Sequence, residues 1–382
     1  MAVRTDIRAE INFSNLRKNI RNLKEHIHPS RIIGVVKANA YGHGVIEVSQ
    51  VLREEGIDMF AVAFPAEAAE LREAGIDARI IILDKLWDRE LGQVFEYNLE
   101  PILASDDDFE RLSHAAEERQ QKLPVHLKID TGMGRLGYLY NQYEEPLQQV
   151  LDHPWLELAG VMSHFSTADE PQREHTEIQA DRYRKIHRKL QSLPGDNPPL
   201  FHLSNSGGAL YLPETGYDMV RLGLSMYGVA PSREETQPFE LHQVMQLKSK
   251  VAYIKNLPEG FPIGYGATYH TKKNSTILVC PGGYEDGIPR RYGGTGEVLI
   301  HRKRFPIVGN VSMDTFMVDV YDEPVNVGDE VVILGEQGGN TISVWEMAEK
   351  LGLIPYEVTC GISSRVGRVF VEEGEGESGI RV

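Results

Sequence analysis

Short β-branched runs recur along the first part of the chain: IIGVV (32–36), MFAVAF (59–64), RIIIL (79–83), PIL (101–103), VHLKID (125–130), LAGVMSH (158–164), LFHLS (200–204) and MVRLGL (219–224). Most are continuously apolar rather than alternating, which is how strands covered on both faces of a parallel sheet read. Helical periods lie between them. Leu16, Ile20, Leu23 and Ile27 fall at i, i+4, i+7 and i+11 behind the candidate N-cap Ser14, and AEAAELREAG (66–75) is rich in helix formers and stops at a Gly. Eight strands alternating with helices over about 200 residues predict an α/β fold, a (β/α)₈ TIM-type barrel, rather than a doubly wound sheet of about five or six strands. After about residue 240 the texture changes. The runs VMQLKSKVAYIKNL (244–257), STILVC (275–280), GEVLIHRKRFPIVG (296–309), MVDVY (317–321) and DEVVILGE (329–336) are broken by Gly, Pro and Asp with little helix between them. They predict a second, mainly antiparallel β domain. Composition puts the junction near Pro231–Pro238, and EEGEGESGIRV (372–382) reads as a loose acidic tail.

Composition narrows the partners. Forty Lys and Arg against 56 Asp and Glu give a net charge of −16, which repels a phosphate backbone and argues against nucleic acid or an anionic membrane. A mean hydropathy of −0.32, with no apolar stretch of about 18 residues, argues against a membrane span. MAVRTDIRAE has no apolar core of a signal peptide, and two cysteines, Cys280 and Cys360, cannot staple a chain of 382 residues. The expectation is a cytoplasmic protein.

In a barrel of this type the chemistry collects where strands end, at the C-terminal face. Strand one runs into Lys37 and ANAYGHG; strand five bears Lys128 and Asp130 and opens into TGMGRLG with Arg135; strand six ends at His164. Strand seven ends in Asn205, Ser206 and Gly207, and strand eight contains Arg221 followed by Gly223. Turns after strands seven and eight commonly bind phosphate through backbone N–H groups. A Lys at the end of an apolar strand is either snorkelling to solvent or a desolvated amine able to bind an aldehyde. Beside a phosphate-type turn, an aldehyde-and-phosphate cofactor such as pyridoxal phosphate is the better account.

The string IGVVKANAYGHG (33–44) resembles the pyridoxal-phosphate signature of the alanine racemase family. HLKIDTGMGRLG (126–137), GVMSHFSTADE (160–170), HLSNS (202–206), MVRLGLSMYG (219–228), GYGATY (264–269), GYEDGIPRR (283–291) and IVGNVSMD (307–314) resemble the same family in the same order. The resemblance implies a barrel over 11–236 and a β domain built from 1–10 and 237–382. It also implies a homodimer whose active sites lie between chains, and interconversion of L- and D-alanine to supply D-alanine for peptidoglycan. By the same resemblance Lys37 binds the cofactor and acts as one base, and Tyr265 of the partner chain is the other. Two acid/base groups on opposite faces of Cα are the simplest way to remove and return its proton. A phenol with a pKa of about 10 needs positive charge nearby to serve as a base, and His164 and Arg221 resemble those neighbours. Arg221 also resembles the partner of the pyridine nitrogen, with His164 near the ring; Tyr41, Ser206, Gly223, Leu224 and Tyr356 resemble phosphate ligands, supported by Asn205. Arg135 and the Met313 backbone would hold the substrate carboxylate, Asp314 would buttress Met313, and Tyr284 would stand at the entrance. Lys128 corresponds to a lysine often carbamylated in the family. Asn310 departs from relatives that carry an Arg in the access corridor.

Gly132-Met-Gly134-Arg-Leu-Gly137 fits G-x-G-x-x-G, with Asp152 twenty residues past its first Gly. A dinucleotide fingerprint, however, belongs after the first strand of a βαβ unit and opens a helix. HRKR (301–304) reads as a solvated strand edge, and the absence of H-E-x-x-H or paired C-x-x-C argues against a metal. A fold-related pyridoxal-phosphate decarboxylase would pair the ring nitrogen with a carboxylate, and a non-catalytic carrier would need no β domain. A racemase of broader or serine preference is the remaining alternative.

Overall fold

The computed structural model describes residues 4–193 and 198–372. The acidic tail read at 372–382 lies, from residue 373, outside the described residues, as do residues 1–3 of the expected β-domain segment. Eight parallel strands form the barrel: Arg31–Val35, Met59–Val62, Arg79–Ile82, Glu100–Leu103, Leu123–Asp130, Leu156–Met162, Leu200–His202 and Met219–Leu222. They neighbour one another in sequence order, and the last pairs with the first through Arg221 and Ile33. Between strands seven and eight, Arg221 N donates to Ser204 O at 2.9 Å and Asp218 N to Phe201 O at 3.1 Å, nearly closing the ring. All eight apolar runs are therefore barrel strands. The reason is physical: Ile32, Ile33, Phe60, Val62, Ile80 and Ile82 are buried because barrel interior and helix layer cover both faces.

Two helix readings need adjustment. The helix carrying Leu16, Ile20, Leu23 and Ile27 spans Phe13–Ile27, and its N-cap is Asn12, not Ser14; Asn12 accepts from Asn15 N at 2.9 Å. The strand before it ends at Asn12, so the polar side chain at that last strand position takes the cap. In the second domain, two helices, Val344–Leu351 and Pro355–Cys360, stand where little helix was expected.

The second sheet is mainly antiparallel. Its N-terminal strand Arg4–Asn12 runs antiparallel to Met245–Lys250 and parallel to Val366–Val371. The run over 244–257 is two strands, and GEVLIHRKRFPIVG is a hairpin whose turn, His301–Arg302, takes φ of 50° and 67°. Two of the HRKR cations are paired locally. Lys303 pairs with Glu323 at 2.7 Å, and Arg304 bridges Glu297 and Glu346 at 3.1 and 2.6 Å. No helix among the described residues is long and apolar enough to cross a membrane.

Candidate active site

Lys37 follows strand one by a single residue, Val36, and is half-buried. After it the backbone winds left-handed: Ala38, Asn39, Ala40 and Tyr41 have φ of 53°, 54°, 51° and 55°. For non-glycine residues this costs about 1–2 kcal/mol each and persists where surrounding contacts over-determine it. Those contacts are specific. Ala40 N donates to Val36 O at 2.8 Å, Ala38 N to Glu67 Oε1 at 2.7 Å and Val45 N to Asn39 Oδ1 at 2.7 Å. Glu67 Oε2 also accepts from Ala63 N at 2.7 Å, tying the end of strand two to the turn. Gly42, at φ 83°, lets the turn lie against the helix Pro355–Cys360, because a Cβ there would sit 2.3 Å from Thr359 O.

That contact brings Tyr356 from the second domain to the barrel mouth. Its ring centroid lies 5.7 Å from that of Tyr41, which in turn lies 5.3 Å from Tyr227. Burial pushes the Tyr356 phenol up to about 12 and that of Tyr41 higher still, so both hydroxyls are neutral donors. The Tyr41 hydroxyl occupies the space a Cβ of Gly223 would need, 2.6 Å away. Gly223 N donates to Ser206 Oγ at 3.3 Å, and Asn205 caps the short helix Ser206–Tyr211 by accepting from Gly208 N at 3.0 Å. Ser206 Oγ also accepts from Ser225 Oγ, at 3.1 Å, and the buried Leu224 adjoins Gly223 in the same turn. Hydroxyls and backbone N–H groups thus converge after strands seven and eight, a donor set suited to phosphate.

Arg221 is buried, and its five hydrogen bonds all leave from Nη1 and Nη2: to His202 Nδ1 and O at 2.9 Å each, to Ser163 O at 2.6 Å, and to His164 Nδ1 and Leu203 O at 2.9 Å each. Nε–H makes no hydrogen bond among the described residues. Since Arg only donates, His164 Nδ1 must accept, leaving that imidazole neutral. Burial and the charges of Arg221, Lys128, Arg135 and Lys37 hold its pKa well below the usual value. Burial likewise lowers Arg221 to about 10, still a cation at neutral pH.

Strand five alternates in and out, which puts His126, Lys128 and Asp130 on one face. Lys128 is buried and makes no ion pair among the described residues; burial and the charges of Arg221 and Arg135 press its pKa well below the usual value. Gly137, at φ 114°, packs against it. Asp130 takes the backbone N–H groups of Gly132, Met133 and Gly134, each at 2.8 Å. The G-x-G-x-x-G string is therefore a loop wrapped on a carboxylate and opens no helix, and its first three N–H donors are spent. Arg135, exposed in the same loop, makes no salt bridge among the described residues.

The remaining candidates stand apart. Tyr265 is 72% exposed in a short turn of the second domain and makes no hydrogen bond or ring contact with a barrel residue; its carbonyl accepts from Asn310 Nδ2 at 2.8 Å. Met313 and Tyr284 are exposed on that domain, their segments tied by Tyr284 N to Ser312 O at 3.0 Å and Glu285 N to Met313 O at 3.3 Å. Asp314 Oδ1 accepts from Arg365 at 2.6 Å, and its carbonyl from Gly282 N at 2.9 Å. Within one chain Lys37, Tyr41, Arg135, His164, Arg221, Gly223 and Tyr356 form a group that Tyr265 does not join. Sequence reasoning assigned no role to Glu67, His126 or His202. The two histidines stand in quoted motifs, but only the barrel interior gives them partners.

The sequence matches the families described as "Alanine racemase, N-terminal domain" over residues 11–231 and "Alanine racemase, C-terminal domain" over 244–370. The chain belongs to the alanine racemase family. It is 42% identical to the alanine racemase of Carboxydothermus hydrogenoformans over 95% of this chain and 99% of that one. Among solved structures, the alanine racemase of Clostridium difficile 630 superposes with a TM-score of 0.91 at 37% identity, covering 98% of this chain and 97% of that one. A histidine racemase of Leuconostoc mesenteroides has the same fold, with a TM-score of 0.88 at 29% identity over 96% and 98% of the chains. The protein is thus an amino-acid racemase of the alanine racemase family, an isomerase.

Proposed function

We propose that the protein interconverts L- and D-alanine with pyridoxal 5'-phosphate, as a homodimer in the cytoplasm, supplying D-alanine for peptidoglycan. The single observation that supports this most is the convergence of Lys37, Arg221 and the Ser206–Gly223–Tyr41 cradle at one barrel mouth. The cradle fits a phosphate, because the absence of a Cβ at Gly223 lets the Tyr41 hydroxyl lie beside the Gly223 backbone and Ser206 Oγ. The barrel corresponds to 11–236 and the second domain to 1–10 with 237–382, a division supported by the pairing of Arg4–Asn12 with Val366–Val371.

When bound, the cofactor supplies an electron sink that acidifies the substrate Cα–H. The chain's residues do the rest. Lys37 Nζ would hold the cofactor aldehyde, and its amine would take or return the substrate proton on one face. Arg221, from its unspent Nε–H, would donate a hydrogen bond to the pyridine nitrogen without giving up a proton, which would leave the ring a weaker sink and disfavour decarboxylation or transamination. Ser206, the backbone of Gly223 and Leu224, Tyr41 and Tyr356 hold the phosphate, with Asn205 fixing Ser206. Arg135 orients the substrate carboxylate through guanidinium geometry. A carbamate on Lys128 would give Arg135 an anionic partner, and the depressed pKa of Lys128 favours the neutral amine that reacts with carbon dioxide. Tyr265 of the partner subunit serves the opposite face of Cα, with the partner's Met313 N–H on the carboxylate, Asp314 behind it and Tyr284 at the entrance. The exposure of Tyr265, Met313 and Tyr284 fits a surface that a second copy covers.

The assignment is tested by chiral chromatography after incubating protein and cofactor with a panel of L-amino acids. D-Alanine should form fastest. None at all would overturn the proposal, and faster turnover of serine or histidine would move it to a racemase of broader preference, which the histidine racemase with the same fold makes the natural rival.

A further inference from the structure

Behind Arg221, away from its free Nε–H, runs a continuous line of buried polar groups inside the barrel. Arg221 Nη1 donates to His202 Nδ1 at 2.9 Å, His202 Nε2 meets His126 Nδ1 at 2.9 Å, and His126 Nε2 meets Glu100 Oε2 at 2.9 Å. Glu100 then takes a two-pronged bond from Arg79 at 2.6 and 2.8 Å. Both histidines are fully buried, and Glu100 is 5% exposed. The line crosses strands eight, seven, five, four and three, so it spans the barrel interior.

Proton positions along this line follow from its ends. Arg221 can only donate, so His202 Nδ1 accepts and its proton must lie on Nε2. His202 Nε2–H then donates to His126 Nδ1, so His126 also keeps its proton on Nε2 and donates to the carboxylate. A proton added to either inner nitrogen would set two N–H groups against each other in a dry interior, a loss of hydrogen bonding with nowhere to go. The charges are complementary as well. Arg221 makes no salt bridge to any carboxylate among the described residues, and Glu100 is the anion at the far end of the line. Other charged or titratable groups facing the two rings are Lys128, Arg79 and Tyr183, whose hydroxyl is spent on Val161 O at 2.6 Å. The barrel also makes room for the line: a Cβ on Gly160 would lie 2.2 Å from His126 Nδ1.

We propose that Glu100, His126 and His202 are positioning residues that lock the Arg221 guanidinium in one orientation by a fixed tautomer chain, so that its Nε–H is aimed at the cofactor ring. The locked chain stands on the hydrogen bonds alone; its aim toward the ring rests on the racemase reading.

The test begins with the cofactor-free protein, ¹⁵N-labelled in its histidine rings. Both His126 and His202 should carry their proton on Nε2, and His202 should remain a neutral imidazole from about pH 6 to about pH 9, whereas an ordinary His titrates near 6.5. Titration of His202 in that window, or a neutral ring of either histidine with its proton on Nδ1, overturns the proposal whether or not the enzyme is a racemase. In the holoenzyme, Glu100→Gln and Gly160→Ala should each lower kcat and cofactor affinity about tenfold while KM for alanine stays within about twofold. If these variants lose thermal stability but keep kcat and cofactor affinity within about twofold, the line is structural only and the positioning role is wrong. Failure of the racemase assay with the tautomers as stated would leave the locked chain standing and remove its aim.

Discussion

Single atoms decide much of this site. Gly223 is the clearest case, because its missing Cβ is the space the Tyr41 hydroxyl occupies. Gly223→Ala should weaken pyridoxal phosphate binding about tenfold or more, measured by equilibrium dialysis, while the far-ultraviolet circular dichroism stays unchanged. Wild-type affinity in that variant would remove Gly223 from the cradle. Glu100 shows how neighbours override burial. Desolvation alone would raise its pKa, yet the hydrogen bonds from His126 and Arg79 hold it at about 2 against an ordinary 4.5. A carboxylate depressed in the folded state stabilises the protein fully above its unfolded pKa, and that contribution is lost as pH falls through the folded value. Urea midpoints should therefore fall between about pH 5 and about pH 2, and the curve for Glu100→Gln should be flatter across that range. Parallel curves would mean that other carboxylates dominate the acid transition.

At the scale of elements, the strained turn after Lys37 is the feature on which local propensity and tertiary contacts disagree. KANAY contains no glycine and would make an ordinary right-handed turn by propensity. Four left-handed residues persist because Glu67 accepts from Ala38 and Ala63, Asn39 accepts from Val45, and the helix Pro355–Cys360 covers Gly42. Glu67→Ala removes the acceptor for two backbone N–H groups and should cost about 1–3 kcal/mol, with Glu67→Gln intermediate. Thermal unfolding gives the size of the loss, and a fall in cofactor affinity shows that Lys37 has moved. An alanine variant as stable as the wild type would show that the turn is held by other contacts.

For the whole molecule, the proposed division of labour puts the acid/base pair on two chains. Lys37 sits at a barrel mouth, and Tyr265 stands 72% exposed on the second domain. Mixing inactive Lys37→Ala and Tyr265→Ala proteins should restore activity, to about a quarter of the wild-type value if chains exchange freely, because half the dimers are hybrids with one intact site of two. Verified hybrid dimers without activity would refute a shared site. The −16 charge is compatible with a phosphate-bearing ligand, because the cradle uses local hydroxyls and N–H groups that a net count does not register.

Much of this was legible in the chain itself. Eight apolar runs became eight barrel strands because burial on both faces demands continuous β-branched residues, and the polar residues at their ends collected at one face because parallel strands all end there. Family motifs supplied roles for Lys37, Arg221 and Arg135. Other features depended on contacts far apart in sequence. Asn12 rather than Ser14 caps the first long helix because the preceding strand ends there, and the left-handed turn exists because residues 67 and 359 hold it. His126 and His202 look like ordinary strand residues until the closed barrel aligns them between Arg221 and Glu100. Local pattern determined which segments are buried and where the strand ends lie, since burial periodicity is written residue by residue. Tertiary structure alone decided proton positions, strain and charge compensation, because each depends on partners that only folding brings within hydrogen-bond reach.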